Sequence, residues 1–471
     1  MINLNLITPE IFISVSIMTL LMIGVFLKKS EKIVYNLSIL TLIVLLTLCI
    51  NIFQLPNNSI FSDSYQIDKL SSFMKIIMIL SGIFVLLSSS EYLNLNKLFK
   101  IEYPILFLSS ILGMMVMISS NDLIVFYIGL ELQSLALYVL ATFNRNNILS
   151  AESGLKYFVL SALSSGLLLY GCSLVYGFSG TTNFNVINTL PKNEITGITF
   201  GIVFIIVGLA FKVSAVPFHM WAPDVYQGSP TSVTMFFALL PKIAAITVII
   251  RFLYIPFYNL INQWQMIIIF LSIASMIFGS VAAIGQKNLK RLIAYSSIGH
   301  MGYALAGLAS GTNEGVQSSV IYIAIYLIMN LAFFSCILMF KKNDEYFEKI
   351  EDLSGLSKNH PLLSFSLLII LFSLAGIPPL AGFFGKFYVF MAVINQKLYA
   401  LAIIGLLTTV ISAFYYLKLI KTIYFDEPII SYDNNSNFGL RLTLFLSTSF
   451  LILFFIYPNS ITEFVKYINI I

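Results

Sequence analysis

Long apolar blocks run the length of this chain, separated by brief polar punctuation. A block of about 20 residues, wound as an α-helix, matches the thickness of a bilayer's hydrocarbon core. Fourteen such spans are predicted, near residues 6–27, 33–53, 70–90, 103–120, 123–142, 155–177, 196–220, 230–254, 263–285, 291–310, 315–340, 361–394, 398–422 and 440–458. No soluble domain interrupts them, because the longest polar stretches, 341–360 and 425–440, are short loops. In the first of these, Tyr346, Phe347, Ile350 and Leu353 fall at helical spacing, which predicts a short interfacial helix, a plain surface loop being the alternative. The first block, Leu6 to Leu27, lacks a basic leader and an A-x-A site and is too long for a signal-peptide core. It reads as a retained span. The expectation is one membrane domain over 1–471.

Composition agrees with the pattern. Of 471 residues, 58% are hydrophobic and 10% charged, and the mean hydropathy is +0.92. Soluble domains carry roughly 25% charged residues, so a water-soluble globule is excluded. Disorder is excluded too, since it needs low hydrophobicity and high charge. Continuous apolar runs argue against a β-barrel, whose strands would alternate. The fold class is therefore all-α and polytopic. The net charge of +5 is no sign of nucleic acid, because the charges sit in loops between spans. Cys49, Cys172 and Cys336 lie far apart in apolar runs, form no CxxC and read as small core residues. The chain has three histidines, no GxGxxG and no Walker A loop. No cofactor or metal is expected in this chain itself.

Lys and Arg set the orientation. Sixteen basic residues fall in one set of alternate loops, including Lys28, Lys29, Lys97, Lys100, Arg145, Lys290, Arg291 and Lys341. The other set holds six, Lys69, Lys75, Lys192, Arg251, Lys397 and Lys466. This bias puts both termini on the outer side of the membrane and requires an even number of spans. Four of the 26 basic residues remain: Lys156, Lys212, Lys242 and Lys386, all inside apolar runs, with Glu131 in span five. An ionisable group at mid-membrane costs about 2.5–3.5 kcal/mol on insertion scales. Four lysines thus amount to on the order of 10 kcal/mol that some function must justify.

Spans seven and twelve look discontinuous. Span seven carries Val216-Pro217 shortly after Lys212, and span twelve carries Gly376-Ile377-Pro378-Pro379 before Lys386. Proline removes an amide donor and breaks the helical ladder. Freed carbonyls survive at membrane depth only where protein or water satisfies them. The two breaks are five spans apart. Spans five and ten, also five apart, carry the stripes Tyr127, Glu131, Ser134, Tyr138 and Ser296, His300, Tyr303, Gly307 at the same spacing. Either the stripes simply face other helices, or spans four to eight (103–254) and nine to thirteen (263–422) form two inverted repeats. Five spans per unit would force opposite orientations, and broken helices at matching places point to a transport site.

Lysine suits proton transfer in a membrane because burial favours its neutral form and a nearby carboxylate its charged form. Glu131 and Lys212 have the types for such a pair, the alternative being a permanent staple between spans five and seven. Lys242, next to Pro241, has no partner in its own span and suits a relay better than snorkelling. Lys386 follows the break in span twelve, where water could enter or exposed carbonyls could hold it. Lys156 lies four residues after Glu152, so a local interfacial pair competes with a transfer role. His219 and His300 could each relay protons or be hydrogen-bonded core residues. Asn330 reads as glue between helices, and Asp224 as a loop cap.

The segment Gly208-Leu-Ala-Phe-Lys212-Val-Ser-Ala-Val-Pro217-Phe-His219-Met-Trp221-Ala-Pro-Asp224-Val-Tyr-Gln-Gly-Ser-Pro230-Thr resembles the signature of the subunit N family of NADH-quinone oxidoreductase, respiratory complex I. Gly129-Leu-Glu131-Leu, Leu240-Pro-Lys242-Ile, Lys290-Arg-Leu-Ile-Ala-Tyr-Ser-Ser-Ile-Gly-His300 and Gly376-Ile-Pro-Pro-Leu-Ala-Gly-Phe-Phe-Gly-Lys386-Phe match its other motifs in order. The resemblance covers essentially the whole chain. It implies fourteen helices, inverted repeats and discontinuous helices seven and twelve. It implies a proton relay with Glu131 modulating Lys212, Lys242 at the centre and Lys386 at the outer half-channel, with Lys156 and His219 weaker. It also implies partners: the other membrane subunits of a heteromeric complex of about fourteen subunits in bacteria. NADH, FMN, iron–sulfur clusters and quinone would belong to partner subunits. The location implied is a bacterial inner membrane, or that of a mitochondrion. A cation/proton antiporter subunit of the same fold is the alternative function, and a structural scaffold is disfavoured by the intramembrane lysines.

Overall fold

The computed structural model describes residues 4–189, 195–433 and 436–470. Lys192, counted above among the outer cations, lies outside these residues. The described chain is a helical membrane bundle in which the fourteen expected spans all appear, with bounds within a few residues at most ends. The first six are α1 (Thr8–Phe26), α2 (Glu31–Phe53), α3 (Lys69–Leu95), α4 (Glu102–Ile118), α5 (Leu123–Ala141) and α6 (Ile148–Ser179). A short helix, α7 (Phe184–Asn188), precedes span seven, which is built from α8 (Ile195–Lys212) and α9 (Trp221–Gly228). Next come α10 (Thr231–Tyr254), α11 (Ile261–Ile284), α12 (Leu289–Ala309) and α13 (Asn313–Ile337). After the short α14 (Leu356–Asn359), span twelve is split into α15 (Pro361–Ala375) and α16 (Ala381–Asn395). The chain ends with α17 (Tyr399–Phe425), α18 (Phe438–Leu453) and α19 (Asn459–Lys466).

Burial sorts the helices. Every residue of α10 is buried, and nearly all of α13 is. In contrast, α1, α2, α6 and α17 bury less than half of their most apolar stretch. The remaining apolar side chains of those helices are exposed, as suits lipid or a partner membrane subunit. α10 and α13 therefore form the protein-enclosed axis on which an ionisable side chain can be kept from lipid.

Close backbone approach recurs in two helix pairs. A Cβ on Gly113 of α4 would lie 2.5 Å from the Gln133 nitrogen of α5. One on Gly279 of α11 would lie 2.5 Å from the Gly299 nitrogen of α12. Glycine at these crossings lets the backbones touch, the usual way membrane helices gain packing energy.

Several expectations are corrected. Lys75 and Arg251 are not loop residues. Both are buried within helices, Lys75 against Glu10 at 2.6 Å and Arg251 against Asp68 at 2.7 Å. Lys290 and Lys341, assigned to inner loops, are also buried, paired with Glu348 and Glu91. The segment around Tyr346 is not an interfacial helix. Residues 341–342 and 345–346 pair as a small hairpin, β3 with β4, and Glu351–Leu353 forms a single 3₁₀ turn. Asn343 and Asp344 at its tip have positive φ, a conformation their short polar side chains tolerate and a helix does not. Another hairpin, β1 (Asn58–Ile60) with β2 (Tyr65–Ile67), precedes it in the chain and is likewise unforeseen. Asn330 donates to the Tyr326 carbonyl of its own helix at 3.0 Å rather than across to another.

Candidate functional site

Both predicted breaks are present, with the prolines themselves exposed and the flanking backbone tied to neighbouring side chains. α8 stops at Lys212, and the peptide before Pro217 is cis. The backbone freed there finds side chains. The Val216 amide donates to Ser275 Oγ of α11 at 2.9 Å, and Trp221 Nε1 donates to the Phe211 carbonyl at 2.9 Å. Trp221 in turn stacks on Tyr157 with ring centroids 4.7 Å apart. In span twelve, Gly376 ends α15 at φ +87°, a left-handed turn that favours glycine. Gly382 N donates to Ser373 Oγ at 3.0 Å, tying α16 back to α15.

Lys212 is buried at the end of α8 and donates to Ser134 Oγ of α5 at 2.9 Å and Ser161 Oγ of α6 at 2.7 Å. Tyr138 donates to the same Ser161 at 2.6 Å. Glu131 is within electrostatic range of Lys212, but among the described residues the two form no direct salt bridge. One carboxylate oxygen of Glu131 is buried without a hydrogen-bond partner. The lysine is thus held by neutral hydroxyls, with an acid one turn before Ser134. A permanent staple would show the ion pair itself.

Lys242 sits midway along α10, buried, and donates to Ser297 Oγ of α12 at 2.6 Å. Its ammonium lies 5.6 Å from the Tyr226 ring centroid and 5.8 Å from that of Tyr326, within cation–π range. The neighbouring Pro241 removes the amide that would bond the Phe237 carbonyl, and the Tyr226 hydroxyl donates to that carbonyl at 3.4 Å. One turn along α12 from Ser297, His300 is buried with Nδ1 2.6 Å from Tyr322 OH and Nε2 3.2 Å from Tyr416 OH. Tyr416 OH also meets Ser296 Oγ at 2.5 Å. Lys386 on α16 donates to the last carbonyls of α15, Leu374 at 3.2 Å and Ala375 at 2.9 Å, with its ammonium 5.1 Å from the Tyr303 ring centroid. A cation at a helix C-terminus is stabilised by the helix dipole.

The arrangement therefore has two clusters. One holds Glu131, Ser134, Tyr138, Ser161 and Lys212. The other joins Lys242, Ser297, His300, its two tyrosines, Tyr303 and Lys386. Direct hydrogen bonds among the described residues do not bridge Lys212 to Lys242. Two weaker candidates lie elsewhere. Lys156 is partly exposed near the start of α6 and pairs with Glu152 at 2.7 Å and Asp224 at 2.9 Å. His219 is half-buried against Phe278 with ring centroids 4.5 Å apart. Asp224 is not a loop cap. It lies in the first turn of α9 and also pairs with Arg291 at 2.7 Å.

Sequence reasoning missed Ser161, Ser297, Tyr322 and Tyr416, because hydroxyls are common in apolar helices and only the tertiary fold brings these to a nitrogen. It also missed a buried triad in which Glu10 accepts from Lys75 at 2.6 Å and Tyr65 OH at 2.7 Å. Glu10 inside the first apolar block was the available signal.

Comparison with known proteins places the chain in a family. Residues 120–412 match the family model described as NADH:quinone oxidoreductase/Mrp antiporter, TM. The NADH-quinone oxidoreductase subunit N of Pelagibacter ubique is 70% identical over 469 residues, covering 100% of both chains. That of Parvibaculum lavamentivorans is 49% identical, covering 96% of this chain and 94% of the relative. The chain belongs to the NADH-quinone oxidoreductase subunit N family. A chain of respiratory complex I from Thermus thermophilus superposes with a TM-score of 0.83 at 28% identity, covering 97% of this chain and 98% of the other. A chain of the Mrp complex from Dietzia shares the fold, with a TM-score of 0.87 at 18% identity and coverage of 99% and 97%. Among the described residues of this subunit N homologue, no group of three or more His, Cys, Asp or Glu could hold a metal ion.

Proposed function

We propose that this chain is a proton-translocating membrane subunit of NADH:quinone oxidoreductase, with redox chemistry and its cofactors carried by partner subunits. The observation that carries this reading is the state of Lys212, Lys242 and Lys386. All three are buried, and none has a carboxylate in contact among the described residues. Lys75, by contrast, is buried in a closed pair with Glu10. A lysine without a fixed counter-charge can lose its proton at modest cost, while a tightly paired one cannot.

In this reading Glu131 moves toward or away from Lys212 and so loads or releases its proton. Lys242 receives it, His300 with Tyr322 and Tyr416 conducts it, and Lys386 passes it toward the outer side. Water bridges Lys212 to Lys242. Moving one charge against 100 mV costs about 2.3 kcal/mol, so the drive comes from quinone reduction in the assembled complex. Residues 103–254 and 263–422 act as two inverted repeats, each with one broken helix. Both termini face the outer side of a bacterial inner membrane, or of its mitochondrial counterpart.

The test is Lys212→Ala and Glu131→Gln in the assembled complex reconstituted in vesicles. Proton pumping coupled to NADH oxidation is expected to fall about a hundredfold, the lower end of the range that loss of one proton-transfer group produces. NADH oxidation by an artificial acceptor is expected to be unchanged. Full pumping by an assembled Lys212→Ala complex would refute the relay.

A further inference from the structure

We propose that a groove between α1, α4 and α5 is a binding site for an anionic phospholipid. The groove is a cavity of about 480 Å³ at the ends of these helices where the basic loops gather. Its rim carries Lys100 and Arg145, with Glu102 as the opposing charge. Both cations are exposed, and neither makes an ion pair or a side-chain hydrogen bond among the described residues. Lys28 and Lys29 follow directly on the last turn of α1, whose Val25 lines the groove, so the local charge is positive. Below the rim the wall is apolar: Leu21, Val25, Leu106 and Val139. Three of these expose 46%, 72% and 47% of their surface (Leu21, Val25 and Val139). Gly24 lies under the rim with Ile101 packed on it, where a Cβ would sit 2.5 Å from Ile101 Cγ2, so the floor is closed by protein.

This layering selects the occupant. Unpaired cations at the helix ends sit at headgroup depth, and the apolar wall runs from there toward the bilayer centre. A phosphodiester between Lys100 and Arg145 with an acyl chain along Leu106 and Val139 satisfies both layers. Basic pockets between membrane helices recognise anionic lipid headgroups in this way. The net excess of cations over Glu102 favours a net-negative lipid over a zwitterionic one.

The experiment places a photoreactive diazirine analogue of leucine at Leu106 in the assembled complex. The complex is reconstituted in vesicles of equimolar phosphatidylcholine and phosphatidylglycerol, and adducts are read by mass. The same analogue at Val410, exposed on α17, reports ordinary contact with bulk lipid. Phosphatidylglycerol adducts at Leu106 are expected to exceed phosphatidylcholine adducts about fivefold, the preference one net basic charge gives at a membrane surface. Lys100→Gln with Arg145→Gln should bring the ratio near that at Val410 while leaving the subunit composition unchanged. A ratio at Leu106 equal to that at Val410 in the unsubstituted rim, adducts to a polypeptide, or no adduct while Val410 labels would each overturn the proposal.

Discussion

The two broken helices use the same interruption in opposite ways. In span seven the lysine precedes the break, and neutral serines from α5 and α6 hold it. In span twelve the lysine follows the break, and the carbonyl end of the preceding half-helix holds it. Seven residues after Pro217 stands Asp224, and seven after Pro379 stands Lys386. Matching positions thus carry a clamp in one half, where Asp224 pairs with Lys156 and Arg291, and an uncompensated cation in the other. A broken helix supplies a place where charge is tolerated. The surrounding partners decide whether that charge is fixed or mobile.

The sharpest way to break this comparison is to exchange consequences. Lys386→Ala should abolish coupled proton pumping, with a loss on the order of a hundredfold or more, the lower end of the range for removing a proton-transfer group. The complex should still assemble, since Gly376 and Ser373 continue to close the break. Pumping measured in vesicles against NADH oxidation by an artificial acceptor separates the two effects. Normal pumping would mean that Lys386 is only a cap on α15.

Asp224→Asn tests the other side. The pairs it loses are about a third exposed, so screening limits their worth to roughly 1 kcal/mol. The thermal midpoint of the purified complex should drop by no more than about 1 °C while the proton-to-electron ratio stays within twofold. A collapse of that ratio with an unchanged midpoint would place Asp224 in the transfer path.

Much of this was legible in the sequence, for physical reasons that also mark where legibility ends. The spans could be read because bilayer thickness sets a minimum apolar length and few charges survive within it. Lys212, Lys242 and Lys386 could be read because their cost at mid-depth demands a reason. Lys75 and Arg251 could not. Each lies within about two turns of a helix end, so linear position fits a loop-side cation, and burial comes from Glu10 and from Asp68, which precedes α3. Lys156 was the open case: α6 begins seven residues earlier than its apolar run, so the lysine lies near the surface and makes the local pair with Glu152 that competed with a transfer role. The tyrosines around His300 come from α13 and α17, and no local pattern announces their convergence.

Ser134→Ala and Ser161→Ala probe the first cluster more finely. Each removes one of the two hydroxyls that hold Lys212, at about 1.5–3 kcal/mol for a hydrogen bond to a charged group. Since water can replace part of that, coupled pumping should fall a few-fold for either and further for both together. Equal pumping in the double variant would show that Glu131 alone holds the charged lysine.

Tyr226→Phe should have the smallest effect, and it separates two roles of one residue. The hydroxyl donates to the carbonyl that Pro241 frees, through a long bond of 3.4 Å, while the ring lies beneath the Lys242 ammonium. Phenylalanine keeps the ring and loses the hydroxyl. The buried Phe237 carbonyl then goes unsatisfied, at about 1 kcal/mol, seen as a slightly lower thermal midpoint with pumping unchanged. Tyr226→Leu also removes the ring face, and with it part of what stabilises Lys242 in its charged form. Pumping should then become measurably weaker at alkaline pH, where a less stabilised ammonium loses its proton sooner. If Tyr226→Phe already impairs pumping, the hydroxyl itself belongs to the relay, and the second cluster extends across the break to α9.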